Sequence, residues 1–261
     1  DSGLVARRAL HCGGMSLRPL PHELGAAFSV GAARAAGVGE SRLRGSDLHR
    51  PFRGMRAAAS PPHTSAERDA EAARSLHLQK AMQYSLVMPS TQFFTHVTAA
   101  LLWDFPLPAQ LLFESVDIDV GEFAPRRHPR AAGVKGHQVA VRHATLRVHP
   151  KLGVRIASPA STWAMMAAVM QNVRELVAVG DAAVREPMFH KSPPQLTTIA
   201  QLEAVLATGR RVGIGGLRAA LPLIRTRSAS RPETLCRLLL LDAGVPEPEL
   251  NWEVWVGELL V

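Results

Sequence analysis

Apolar and polar positions follow different periods along this chain, and each period predicts a different element. From Phe28 to Ala36 (FSVGAARAA) apolar residues recur three and four apart, the spacing of a short helix, which Gly37 ends ahead of a turn through Val38 and Gly39. A second helix is expected from about Glu40 to Leu48, with Leu43 facing in and Ser41, Arg42 and Arg44 facing out. HRPFRGMRA then reads as extended, broken by Pro51 and Gly54. Further on, QVAVRHATLRV (Gln138 to Val148) alternates as a strand does, and Glu114, Asp117, Asp119 and Glu122 mark a second strand-like segment. The two segments carry opposite charge and can pair across a sheet. Ser158-Pro159 opens a helix, serine as N-cap and proline as first residue. Trp163, Met166, Ala167 and Met170 form its apolar stripe. Ser230-x-x-Glu233 is a capping box before a leucine-rich helix that Gly244 closes.

These segments divide the chain into five parts. Residues 1–19 are an extension expected to be disordered, residues 1–14 above all. Residues 20–59 form a winged helix-turn-helix, 60–79 a polar linker whose first part, 60–75, reads equally as a solvated helix, 80–225 a mixed α/β domain, and 226–261 a separate helix with an extended tail in which Trp252, Val254 and Val256 alternate. The fold class is therefore α/β (α+β).

Composition narrows the function. The 261 residues carry a formal charge of +8, and of 30 basic residues only four are lysine. Arginine matches phosphate and guanine edges bidentately. A basic balance admits nucleic acid or an acidic membrane surface, and arginine-rich codon usage gives the same composition without either. Two distant cysteines, Cys12 and Cys236, exclude a disulfide scaffold or a zinc knuckle and fit a reducing cytoplasm. No apolar run approaches the ~18 residues of a membrane span, so no membrane partner is expected.

The candidate chemistry lies mainly near the front. Helix, glycine turn, helix and basic hairpin outline a winged helix-turn-helix, whose second helix enters the major groove. Ser41, Arg42 and Arg44 then face base edges or adjoining phosphates, and Arg50, Arg53 and Arg56 the DNA backbone; an ordinary solvated basic face is the competing reading. Arg126 to Arg155 holds eight basic residues, four histidines and no acid. It extends a DNA footprint, docks an acidic partner, or is a plain solvated face. His137, His143 and His149 share one face of a single expected strand, too far apart for one metal, and read as surface or hydrogen-bonded histidines. The acidic segment lacks the spacing of a calcium loop. Asp181, half-buried in an apolar helix, calls for an arginine or a backbone N–H. Gly209 to Gly216 (GRRVGIGG) lacks a phosphate-loop pattern and reads as a turn before a helix at Leu217. Cys236 sits among leucines and reads as a core residue.

The strings FSVGAARAAGVGESRLRGSDLHRPFRGMR, THVTAALLWDFPLP, GVKGHQV, IASPASTWAMMA, ELVAVGDAAVR and GGLRAALPLIR resemble a large actinobacterial family. Its members are described as AbiEi-type antitoxins or very-short-patch-repair-like endonucleases. The likeness runs over roughly residues 20–251. It implies a winged helix, a central AbiEi-like domain and a C-terminal restriction-endonuclease-like fold. It also implies repression through operator DNA and opposition to a nucleotidyltransferase toxin. The sequence departs from the family at its end: it stops at Val261, so the nuclease fold is incomplete, and no lysine has an acid two residues before it. Glu233 matches the family's helix glutamate, and is the one catalytic candidate if a nuclease is active, with Mg²⁺ as its cofactor. The expected function is a DNA-binding antitoxin-type repressor, not an enzyme, with double-stranded DNA and a nucleotidyltransferase toxin as partners and no cofactor or metal. A metal-dependent endonuclease is the alternative, and a toxin-binding module that leaves DNA alone is a third reading.

Overall fold

A computed structural model describes residues 18–58, 69–188, 192–251, 255–256 and 259–260. The N-terminal extension through residue 17, residues 60–68 of the expected linker, and Trp252 and Val254 of the expected terminal alternation lie outside the described residues. The chain divides into two units, residues 1–61 and 62–261. It mixes helices and sheets throughout, as an α/β chain does.

Unit 1 is built on strand β1 (Ala27–Ser29), helix α1 (Val30–Ala35) and the hairpin β2 (Leu48–His49) and β3 (Met55–Ala58). The sheet order is β1-β3-β2, antiparallel throughout. Ser29 caps α1, its hydroxyl accepting the Ala32 N–H at 3.0 Å. Gly37, at φ +78°, lets the chain leave the helix: its N–H reaches the Arg34 carbonyl and that of Val38 the Ala33 carbonyl. Phe28, Ala33, Val38 and Leu43 make the core, with Leu20, Leu24, Val30 and Leu48 packed against it.

The second helix expected over Glu40 to Leu48 is not formed; a single 3-10 turn, Arg42–Arg44, stands in its place. Gly39 and Gly45 bracket too few residues to extend a helix from a costly first turn. Asp47 also folds back to take both terminal nitrogens of Arg42, at 2.9 and 2.6 Å. A Cβ at Gly45 would sit 2.5 Å from the Asp47 carboxylate and 2.6 Å from the guanidinium, so a larger residue there would make the ion pair shift.

Unit 2 opens with α2 (Ala70–Ser85), capped by Asp69. The linker drawn to residue 79 is thus helical from residue 70, in a stretch rich in Ala, Glu, Leu and Gln, all good helix formers. β4 (Gln92–Phe94), α3 (His96–Leu102), α4 (Ala109–Glu114), β5 (Ile118–Phe123), β6 (Val134–Val139), β7 (Leu146–Val148) and β8 (Arg155–Ala157) follow. They give a mixed sheet of order β6-β5-β4-β8-β7, with β5 parallel to β6, β4 parallel to β8, and the other pairs antiparallel.

The segment read as one strand over Gln138–Val148 is therefore two. β6 ends at Val139, a 3-10 turn over Val141–His143 follows, and β7 lies at the opposite edge of the sheet. The opposite-charge pairing expected across the sheet is not formed: of Gln138–Val148 only the uncharged Gln138 and Val139 lie against β5, opposite Glu122 and Phe123, and Leu146–Val148 pairs with β8.

α5 (Pro159–Met166) is buried along its whole length and capped by Ser158, whose hydroxyl accepts the Ser161 N–H. Trp163, Met166, Ala167 and Met170 are core, as their spacing predicts. α6 (Val173–Val184) and α7 (Ile199–Ala207) pack against it, and α8 (Ile214–Ala220) packs on α6 and α7. α8 begins at Ile214 instead of Leu217, because Gly213 at φ +74° makes the turn itself. A Cβ there would meet the Ala167 carbonyl oxygen at 2.2 Å. α9 (Arg231–Asp242) packs on α6, so the segment from residue 226 is not a separate piece. Ser230 caps α9, and Gly244 at φ +75° closes it. β9 (Trp255–Val256) and β10 (Leu259–Leu260) pair antiparallel. Among the described residues no helix is long and apolar enough to cross a membrane.

Candidate functional site

The six residues expected to meet DNA fall into two groups. Arg42 and Arg56 hold unit 1 together. Arg42, besides its pair with Asp47, donates from Nε to the Arg18 carbonyl at 2.6 Å. Arg56 on β3 donates to the Leu43 carbonyl at 2.7 Å and to the Met55 carbonyl at 2.8 Å, pinning the 3-10 turn to the sheet. Both are part-buried, so neither presents a free guanidinium to a groove. Ser41, Arg44, Arg50 and Arg53 are exposed. Among the described residues no acidic group pairs with Arg44, Arg50 or Arg53; Glu40 is taken by Arg34 and Asp47 by Arg42. Residues 18–58 hold seven arginines against three acids, so the positive charge stays on the surface as the segment between β2 and β3 turns.

A second constellation, absent from the sequence reading, lies in unit 2. His96 opens α3, Asp119 is on β5, and His137 is on β6 two residues past the partner of Asp119. Asp119 Oδ1 lies 2.7 Å from His137 Nε2. The rings of His96 and His137 stack with centroids 3.9 Å apart and planes 25° apart. One nitrogen from each ring and a carboxylate oxygen all lie within 4.8 Å of one another. His96 holds φ at +43°, a region few residues other than glycine enter, and His96 Nδ1 is buried without a hydrogen-bond partner. Burial, helped by the nearby His137, pushes the His96 imidazole down to about 4, so the ring is neutral at ordinary pH. Nitrogen and oxygen donors in this arrangement can hold a transition-metal ion or pass a proton.

Behind the cluster runs a buried hydrogen-bond chain. The Asp119 N–H donates to Thr98 Oγ1 at 2.7 Å, which lies 2.8 Å from His77 Nε2, while His77 Nδ1 lies 3.0 Å from the Ser115 carbonyl. That pattern fits neutral His77 with its proton on Nδ1. Burial lowers its affinity for a second proton. Since the unfolded chain protonates this residue near pH 6.5, its contribution is intact above that pH and is lost as the pH falls below it. The slope is at most about 1.4 kcal/mol per pH unit for one proton. His96, His143 and His149, all lowered by burial, act in the same sense. Denaturant midpoints should therefore fall between pH 7.5 and 5.5, above the carboxylate range, and His77→Gln should reduce the difference. A flat profile would contradict the buried neutral ring.

The remaining expectations divide. His143 lies in the 3-10 turn and His149 tilts against Trp103 with centroids 4.7 Å apart, so the three evenly spaced histidines share no face. Of the acidic run, Asp119 and Glu122 are buried on β5, Glu114 ends α4 and Asp117 precedes the strand. Asp181 has the partners its position demands: the Arg225 N–H at 2.7 Å, the Thr234 hydroxyl at 2.8 Å and Arg237 at 3.1 Å. Cys236 is exposed, a correction to the core reading; Arg237, the next residue, is the buried one. Glu233 is occupied at the start of α9, although its carboxylate does not make the reciprocal bond to the Ser230 N–H that a capping box requires. One carboxylate oxygen accepts the Ala229 N–H at 2.7 Å and the other the Asn251 side-chain amide at 3.0 Å. Among the described residues no metal-ligand group includes Glu233.

No known protein family, no characterised protein and no solved structure matches this chain.

Proposed function

We propose that unit 1 binds double-stranded DNA, and that the protein is a DNA-binding repressor of the antitoxin type. The observation that carries the DNA reading is the set Arg44, Arg50 and Arg53: exposed, unneutralised, and presented on one small module whose other arginines brace it. With one 3-10 turn in place of a long second helix, the arginine-bearing hairpin is the main contact, and Ser41 and Arg44 at the turn supply the rest. Arginines on phosphates bind strongly but read sequence poorly. Operator choice then falls to Ser41 and Arg44. The antitoxin part of the proposal, with a nucleotidyltransferase toxin as its target, draws on the resemblance of residues 20–251 to AbiEi-type proteins.

The test is a salt titration of duplex binding by fluorescence anisotropy. Replacing Arg44, Arg50 and Arg53 together by alanine should flatten the slope of log K against log salt by about 2–3, one released counterion per lost phosphate contact. Arg42 and Arg56 are left in place so that unit 1 keeps its fold. An unchanged slope would take unit 1 out of DNA binding.

A further inference from the structure

The structure assigns a divalent-metal site to His96, Asp119 and His137: two imidazole nitrogens and one carboxylate oxygen that take a zinc-class ion and leave coordination positions open to solvent or a ligand. The site lies wholly in unit 2 and is independent of the DNA reading.

Three separate elements deliver the ligands. The register of β5 on β6 sets Asp119 against Lys135 and Gly121 against His137, so the His137 side chain lies on the Asp119 side of the sheet, at 2.7 Å. α3 begins with its first residue in a strained backbone conformation, and that residue is His96. A non-glycine residue at positive φ persists where its surroundings over-determine it, and such residues gather at sites. Gly121 lets β5 approach: a Cβ there would lie 2.6 Å from the Thr95 side chain and 2.9 Å from the Phe93 ring.

The chemistry fits a zinc-class ion better than calcium or magnesium, which prefer all-oxygen shells. Three protein ligands with positions left over is the pattern of open zinc sites. Bonds of about 2.0–2.1 Å place tetrahedral ligand atoms roughly 3.4 Å apart. The 2.7 Å pair must open and the wider ones close, within a spread of 4.8 Å. The ion takes the place of the proton between His137 Nε2 and Asp119 Oδ1. The unpartnered Nδ1 shows that protein groups leave the hydrogen-bonding capacity of the His96 ring unfilled. The Thr98 bond to the Asp119 N–H fixes the strand that carries the carboxylate. Asp119 also lines an open cavity of about 580 Å³ with Glu114, Asp117 and Lys135, which gives the ion a way in. Lys135 works against binding, since its ammonium bears on the same cluster.

The experiment titrates ZnCl₂ into full-length protein stripped of metal, against a chromophoric chelator, and adds Co²⁺ for spectroscopy. Wild type should take up one equivalent. His137→Asn and Asp119→Asn should bind at least tenfold more weakly while keeping the wild-type circular dichroism. Lys135→Met should bind severalfold more tightly, a gain that misfolding cannot imitate. The Co²⁺ form should show d–d bands without a thiolate charge-transfer band, which separates this site from the exposed Cys236. No stoichiometric uptake, equal uptake by both ligand variants, or a thiolate band would overturn the assignment. If neither ligand variant folds, Lys135→Met decides alone: tighter binding supports the site, and unchanged affinity overturns it.

Discussion

Replacing Arg237 by alanine is expected to destabilise unit 2 by about 3–5 kcal/mol, the range for removing one partner of a buried ion pair. Its side chain is 0 % exposed and that of Asp181 is 2 % exposed. The guanidinium spans three acceptors: Asp181, the Leu223 carbonyl at 2.8 Å and Glu247 at 2.9 Å. Burial alone pushes the Asp181 carboxyl upward, and the Arg225 N–H, the Thr234 hydroxyl and Arg237 oppose that push. Deleting the arginine leaves the carboxylate in an apolar setting with its largest charge partner gone. Urea unfolding followed by tryptophan fluorescence measures the loss. Asp181→Leu combined with Arg237→Met should cost less than Arg237→Ala, because no charge is stranded. A loss under about 1 kcal/mol for Arg237→Ala would mean that water or a neighbour repairs the gap.

Trp163→Ala is expected to cost a similar amount, about 3–5 kcal/mol. The residue is fully buried on a helix with no exposed face. Its Nε1–H donates to the Leu176 carbonyl at 3.0 Å, joining α5 to α6. Gly180 makes the approach possible: a Cβ there would lie 3.1 Å from the indole nitrogen and 2.3 Å from Ile224. Trp163→Phe keeps most of the volume and loses the hydrogen bond, so its loss should fall between wild type and alanine. If phenylalanine and alanine were equally damaging, the hydrogen bond would outweigh the packing.

The parts of this fold legible in the sequence were those governed by neighbours a few residues apart. Ser158 and Ser230 cap helices because each hydroxyl reaches an N–H three residues on, and Gly37 and Gly244 end helices because each takes a positive φ. The apolar stripe from Trp163 to Met170 was legible for the same local reason. What escaped depended on distant partners. The phase of α9 was misjudged by one residue, Cys236 for Arg237, because what makes an arginine buriable is a carboxylate 56 positions away. The expected second helix yielded to Asp47 and its reach back to Arg42. The histidine cluster was hidden twice over: its members come from three elements, and His137 had been grouped with His143 and His149 on a strand that in fact ends at Val139. No glycine or proline marks that break, so local pattern carried no signal of it.

The tie between α6 and α9 also bears on how the chain acquires its shape while it is being made. Asp181 leaves the ribosome 56 residues ahead of the arginine that neutralises it. At translation rates of about 5–20 residues per second, the nascent segment waits on the order of 3–11 s with that carboxylate unmatched. During that interval α6 has every reason to keep Asp181 in water, and the layer that finally covers it cannot close. Completion of unit 2 is thus set to follow synthesis of its last long helix, whatever the earlier helices have already done.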